Sequence, residues 1–157
     1  MRQEIDIVEQ RRLELQGALD DQKTQAERNR LGQFATPTAL AVDILRYASG
    51  LLPRDEIVRF LDPAIGTGAF YSALLKIFSG RHISAAQGFE IDPHYERPAS
   101  NLWACSDLTI KPVDFTQETP TPQFNLIICN PPYVRHHHLQ SDDKVRLQER
   151  TYAASGM

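Results

Sequence analysis

The residues best suited to chemistry begin with Asp62-Pro63-Ala64-Ile65-Gly66-Thr67-Gly68-Ala69-Phe70, a carboxylate set ahead of two glycines. Glycines lack a Cβ and let backbone approach a ligand. A carboxylate at the entrance suits a cationic group such as an ammonium better than a phosphate. Tyr71 stands where the third glycine of a GxGxxG would fall, and no Gly-Lys-Ser/Thr is present, so two common phosphate cradles are disfavoured. Taken alone, such a loop is equally a tight turn without a ligand. Glu90, in Gly88-Phe89-Glu90-Ile91-Asp92, follows after about 20 residues, the spacing at which a strand-end carboxylate accepts both hydroxyls of a ribose. Ile91 offers an apolar face to a purine. Asp114-Phe115 offers an acceptor for an adenine amino group and a ring beside it, with Asp107 as a rival acceptor.

Asn130-Pro131-Pro132-Tyr133 carries a second chemistry. The exocyclic amine of adenine is a weak nucleophile because its lone pair is delocalised into the ring. Two acceptors on its two hydrogens, the Asn130 side-chain oxygen and the Pro131 carbonyl, favour the pyramidal amine and steady the charge that develops during attack. Prolines lack an N–H and fix φ, so the carbonyl direction is set. Tyr133 supplies a flat surface on which an extruded base can stack. Cys129, just before this motif, reads as a buried apolar filler and not as a nucleophile. His136-His137-His138 lacks partners at ligand spacing, so no metal is expected.

These groups must be positioned by alternating strands and helices. One imperfectly amphipathic helix is predicted from about residue 4 to 30, with Ile5, Val8, Leu15, Leu19 and Ala26 on a heptad-like frame whose other positions, Arg12 and Gln22, are polar. Thr36-Pro37 predicts a helix start, Thr36 as N-cap and Pro37 as first helical residue. The segments EIVRFLDP, ISAAQGFEID, LTIKPVDF and FNLIIC read as strands, with LTIKPVDF of edge type and FNLIIC buried. GAFYSALLKIFSG reads as a helix, DPHYERPASNLW as a short one broken near Pro98, and SDDKVRLQERTYAAS as a polar one capped by Ser141 or Asp142. The alternation predicts α/β architecture with a mostly parallel sheet. Ligands then bind beyond the carboxyl ends of the strands, where both motifs fall.

Composition bounds the rest. The 157 residues are 41% hydrophobic and 24% charged, with two cysteines and a net charge of −3, which excludes disordered and disulfide-stapled classes. No run approaches the roughly 20 apolar residues of a membrane span, and the charged start lacks a secretory signal, so a cytoplasmic protein with no membrane partner is expected. The acidic balance disfavours a strong grip on nucleic-acid phosphates by this chain alone.

Together GQFATPTALA, LDPAIGTGAF, GFEID, VDF and NPPYVRHHHL resemble class I S-adenosylmethionine-dependent methyltransferases, specifically those that methylate adenine N6 in DNA. The order of segments is similar to the gamma arrangement of type II restriction-modification systems. The resemblance implies a Rossmann-like fold, with the first four strands of an expected seven preceded by N-terminal helices. It implies S-adenosyl-L-methionine as cofactor. Thr36, with Gln33, Phe34 and Ala35, would close over its methionine end, which Asp62, Ala64, Gly66 and Gly68 would line. Glu90 would hold the ribose, Ile91 and Phe115 would flank the adenine and Asp114 would bind its amino group. Asn130, Pro131 and Tyr133 would take the target base, with Pro132, Arg135 and His136 at the substrate.

The expected division is a helix over 1–31, a partial cofactor-binding catalytic core over 32–140 and a terminal helix over 141–157, without a target-recognition domain. The expected partners are double-stranded DNA and a subunit or second copy covering the sheet edge left by FNLIIC, and the chain alone is expected to be a weak or inactive enzyme. Protein glutamine methylation poses the same problem at nitrogen and remains an alternative, although GQFATP ahead of the glycine loop argues against it. A non-catalytic binding module completed by a partner is the other.

Overall fold

The computed structural model describes residues 2–119, 123–132 and 141–156. Their elements are α1 (Arg2–Asp21), α2 (Gln25–Leu31), α3 (Thr38–Leu51), β1 (Val58–Asp62), α4 (Ala69–Ile77), β2 (Ile83–Phe89), α5 (Pro93–Leu102), β3 (Leu108–Lys111), β4 (Leu126–Ile127) and α6 (Ser141–Ser155). They fall into two compact units. One holds the residues up to 24 and 35–131; the other holds 25–34 and the described residues from 132 onward.

In the first unit four strands make one parallel sheet in the order β3-β2-β1-β4. The chain builds outward from β1 to β3 and then returns to the other side of β1. The carboxyl ends of β1 and β4 therefore flank a topological switch point, where open α/β sheets place ligands. Phe60 of β1, Leu126 of β4, Leu45 of α3 and Leu74 of α4 are buried in one core that also holds Trp103. Burial on this scale is the main force holding the strands in place. Helix α1 packs on α4 and α5, and α3 packs on α4.

Several predicted elements are corrected. The helix predicted from 4 to 30 is two: α1 ends at Asp21, and turn bonds from Gln22 to Leu19 and from Lys23 to Asp20 lead the chain away. Lys23 ties this exit down, with Nζ 2.5 Å from Asp92 and 4.7 Å above the Tyr95 ring. Arg12, a polar position in the predicted apolar stripe, is buried. Helix α3 starts one residue later than predicted; its N-cap is Pro37 without a side-chain cap, and Thr36 faces Asn130 instead. Helix α5 runs unbroken through Pro98. The Asp92 carboxylate caps the His94 amide and Pro93 opens the helix, so a strong start carries it past one missing N–H.

The strand LTIKPVDF stops at Lys111, because Pro112 cannot donate to a ladder. Asp114 instead caps a single 3-10 turn over Phe115–Gln117. FNLIIC pairs only through Leu126 and Ile127, and Ile127 is exposed. Cys129 lies beyond the strand and is exposed, not a buried filler.

In the second unit Gly32, at φ 63°, closes α2, with the Gln33 amide donating to the Arg28 carbonyl. Helix α6 begins at Ser141, so the residue before its first turn lies outside the described residues. Among the described residues no helix is long and apolar enough to cross a membrane.

Candidate active site

The glycine loop springs from the end of β1. Asp62 is 1% exposed and accepts one backbone bond, from the Ala64 amide at 3.1 Å. Burial pushes its pKa up to about 7; the Ala64 bond opposes the rise and the negative charge of Glu90 adds to it. The two glycines do different work. A Cβ on Gly66 (φ 53°) would meet nothing within 4 Å, so its surface is open to a ligand. A Cβ on Gly68 (φ 91°) would lie 2.5 Å from Trp103 Nε1, so its bare Cα makes room for the indole. That indole donates to the Thr67 carbonyl at 2.9 Å. Gly88 of β2 yields its space to Ile65, whose Cδ1 would lie 2.3 Å from an added Cβ.

Glu90 leaves the end of β2 with its amide bonded to the Lys111 carbonyl at 3.1 Å. One carboxylate oxygen accepts from Gly66 N at 3.1 Å and the other from Asp92 N at 2.8 Å. Those bonds aim the carboxylate across the glycine loop and leave each oxygen a lone pair for a further donor. Burial raises its pKa against these two amides, which lower it. Beyond it Ile91 is 64% exposed. Phe115, 40% exposed, meets Phe89 edge-on at 5.2 Å. Asp114 accepts from the amide and hydroxyl of Thr116 and from Gln117 Nε2, so most of its acceptor capacity is spent locally. Apolar surface and carboxylates thus share the rim beyond β2 and β3.

The Asn130 segment reaches the same rim from β4. The Ile128 amide donates to the Leu61 carbonyl at 3.0 Å, which carries the chain past the end of β1. Cys129 then lies near Asp62; its thiol pKa is raised by partial burial and by that carboxylate. Asn130 is half-buried and donates from Nδ2 to Thr36 Oγ1 at 3.3 Å. This joins two segments that lie 94 positions apart. With Nδ2 committed, Oδ1 is the amide atom left to accept from a substrate. Pro131 and Pro132 are exposed, while Tyr133, Arg135 and His136, with the rest of the His triplet, lie outside the described residues.

One participant escapes a motif search. Arg12 of α1 is buried against the glycine loop, paired with Glu9 at 2.7 Å and bonded to the Thr67 hydroxyl at 3.2 Å. Its only sequence signal is a polar residue standing in an otherwise apolar helical stripe.

No family model matches the chain. The type II methyltransferase M.HincII of Haemophilus influenzae is 29% identical over 125 residues, 77% of this chain and 21% of that enzyme. M.AccI of Acinetobacter calcoaceticus, also a type II methyltransferase, is 28% identical over 123 residues, 78% of this chain and 21% of that enzyme. The chain is similar in sequence to these two type II methyltransferases. It spans about a fifth of the length of these curated relatives. Among solved structures, a class I S-adenosylmethionine-dependent methyltransferase from Listeria monocytogenes superposes with TM-score 0.63 at 18% identity, over 89% of this chain and 43% of that one. An RNA methyltransferase from Pyrococcus horikoshii gives 0.54 at 20% identity, over 90% and 68%. The fold is therefore the Rossmann-like class I methyltransferase fold.

Proposed function

We propose that this chain carries the cofactor and target-base site of a DNA adenine-N6 methyltransferase. The observation that supports the reading is the bond from Asn130 Nδ2 to Thr36 Oγ1 at 3.3 Å, which ties the Asn130 side chain down and leaves its amide oxygen as the acceptor. The donor set suits S-adenosylmethionine. Asp62 is a buried carboxylate with one backbone donor, and among the described residues no cation is paired with it, the place an ammonium would fill. Glu90 keeps a lone pair on each oxygen for the two ribose hydroxyls, and exposed Ile91 and Phe115 offer apolar surface to the adenine. When bound, S-adenosylmethionine supplies an electrophilic methyl group on a sulfonium.

The chain's own work is at the acceptor nitrogen. Asn130 Oδ1 and the Pro131 carbonyl take the two amine hydrogens, which localises the nitrogen lone pair and stabilises the developing positive charge. Tyr133, Arg135 and His136 lie outside the described residues; the resemblance supports stacking on the base for the first and substrate contact for the other two. Double-stranded DNA is the proposed partner.

Calorimetric titration of the folded chain with S-adenosylmethionine should give saturable one-to-one binding, weakened about tenfold or more in Glu90→Ala, which removes a charged hydrogen-bond acceptor. Single-turnover incubation with adenine-containing duplexes should yield N6-methyladenine, lost about a hundredfold or more in Asn130→Ala while cofactor binding persists. Label appearing in a glutamine peptide instead overturns the DNA reading. A folded, cofactor-binding chain that methylates neither overturns catalysis by this chain alone and leaves cofactor binding as its demonstrated activity.

A further inference from the structure

We propose that the Glu9–Arg12 pair of α1, whose arginine is buried, positions both halves of the site, the glycine loop through Thr67 and the Asn130 segment through Thr38 and Thr36. The inference rests on the proposed function for its consequence, though not for its geometry. A buried arginine is a costly way to dock a helix, because an apolar side chain of similar volume serves at least as well. Arg12 is 1% exposed, and four of its five N–H donors are engaged. Nε and Nη2 grip the two oxygens of Glu9, each at 2.7 Å. Nη1 donates to the Thr67 hydroxyl and Nη2 to the Thr38 hydroxyl, both at 3.2 Å. The Thr38 hydroxyl in turn donates to Glu9 at 2.5 Å.

Thr67 stands between two glycines with positive φ, the most permissive backbone in the site. Its hydroxyl also donates to Gln16 at 2.7 Å, and its carbonyl accepts from Trp103. The loop is thus held by its side chain from α1 and by its backbone from Trp103. On the other branch Thr38 opens α3, and Pro37, whose ring restricts φ, is the sole residue between it and Thr36. Thr36 is 8% exposed and accepts from Asn130. One guanidinium therefore sets the relative placement of the proposed cofactor loop and the proposed catalytic amide. A lysine, whose donors all radiate from one nitrogen, lacks the planar fork that spans both oxygens of Glu9 and both threonines.

The test uses Thr67→Val, which keeps shape and loses the hydroxyl, and the double variant Glu9→Gln/Arg12→Met, which removes the pair without stranding a buried charge. Glu14→Gln, on the exposed face of α1, is the control. In the ligand-free chain the Gly66 and Gly68 amide resonances should shift or broaden in both test variants and stay in place in the control. The Asn130 side-chain amide resonances should move in the double variant. Calorimetry should show S-adenosylmethionine affinity lowered about tenfold in both, the effect of losing hydrogen bonds that hold the loop, with Thr67→Ser restoring it. Unchanged glycine resonances in folded Thr67→Val overturn the first branch, and unchanged Asn130 resonances in the folded double variant overturn the second. Absence of cofactor binding by the wild type overturns the proposed function alone, since the resonances still decide the positioning.

Discussion

Asp62 concentrates the electrostatics of the site in one side chain. Burial raises its pKa to about 7, opposed by the Ala64 amide and reinforced by Glu90. An unfolded aspartate titrates near about 3.9, so the folded chain holds this proton more tightly than the unfolded one. The stability contributed by Asp62 is therefore fully present below the unfolded pKa and is lost as pH rises through about 7. Glu90, also raised by burial, acts in the same direction. The denaturation midpoint should bear a falling component between about pH 4 and about pH 7, the interval between the unfolded and folded pKa values, and Asp62→Asn should flatten it. An ammonium against Asp62 favours the charged form, so cofactor binding should release a proton and tighten as pH rises through neutrality. Calorimetry in two buffers of different ionisation enthalpy measures that proton directly. Equal apparent enthalpies in both would remove Asp62 from the ammonium site.

At the scale of the element, the glycine loop shows why one motif holds two kinds of glycine. Gly68→Ala would drive a Cβ to 2.5 Å from the Trp103 ring nitrogen at φ 91°, and should destabilise the chain by about 1–3 kcal/mol or more in urea denaturation. Gly66→Ala meets open space and should cost only about 1–2 kcal/mol for its left-handed backbone, with the larger effect on ligand affinity. Equal losses of stability in the two would contradict this division. The motif was legible in the sequence, but Trp103, 35 positions from Gly68, was not, because nothing local marks which side chain fills a glycine's vacant space. The four strands and their order of appearance were legible because apolar runs alternate with helical spacing. Their ends were less so: Pro112 cut β3 short, and FNLIIC pairs through only two residues. Arg12 was misjudged for a general reason, since a helical frame tells which face turns inward and not whether a buried polar residue finds partners there. Its partners Thr38 and Thr67 lie 26 and 55 positions away.

For the whole molecule, the balance of charge sets how the proposed substrate approaches. The chain carries a net charge of −3; Asp62 is the last residue of β1, and Glu90, Asp92 and Asp114 follow the ends of β2 and β3. A duplex is a polyanion, and its affinity for a protein comes largely from cations that displace its counterions. Binding of a fluorescent duplex to this chain should therefore be no tighter than the non-specific range of about 10⁻⁴–10⁻⁶ M at physiological salt, with a shallow salt dependence. The cofactor changes the balance. If the proposed function holds, S-adenosylmethionine would bring a net positive charge to the rim, whereas its demethylated product, S-adenosylhomocysteine, would bring none. Under the proposed function the two ligands should separate: the methyl donor tightens duplex binding and the product does so less, by a factor that shrinks as salt screens the rim. Linkage requires the reciprocal effect, so saturating duplex should raise affinity for S-adenosylmethionine by the same factor. Anisotropy titrations at two salt concentrations with each ligand measure all of these quantities. Identical duplex affinity with both ligands at low salt would show that the base reaches Asn130 without passing the charged rim.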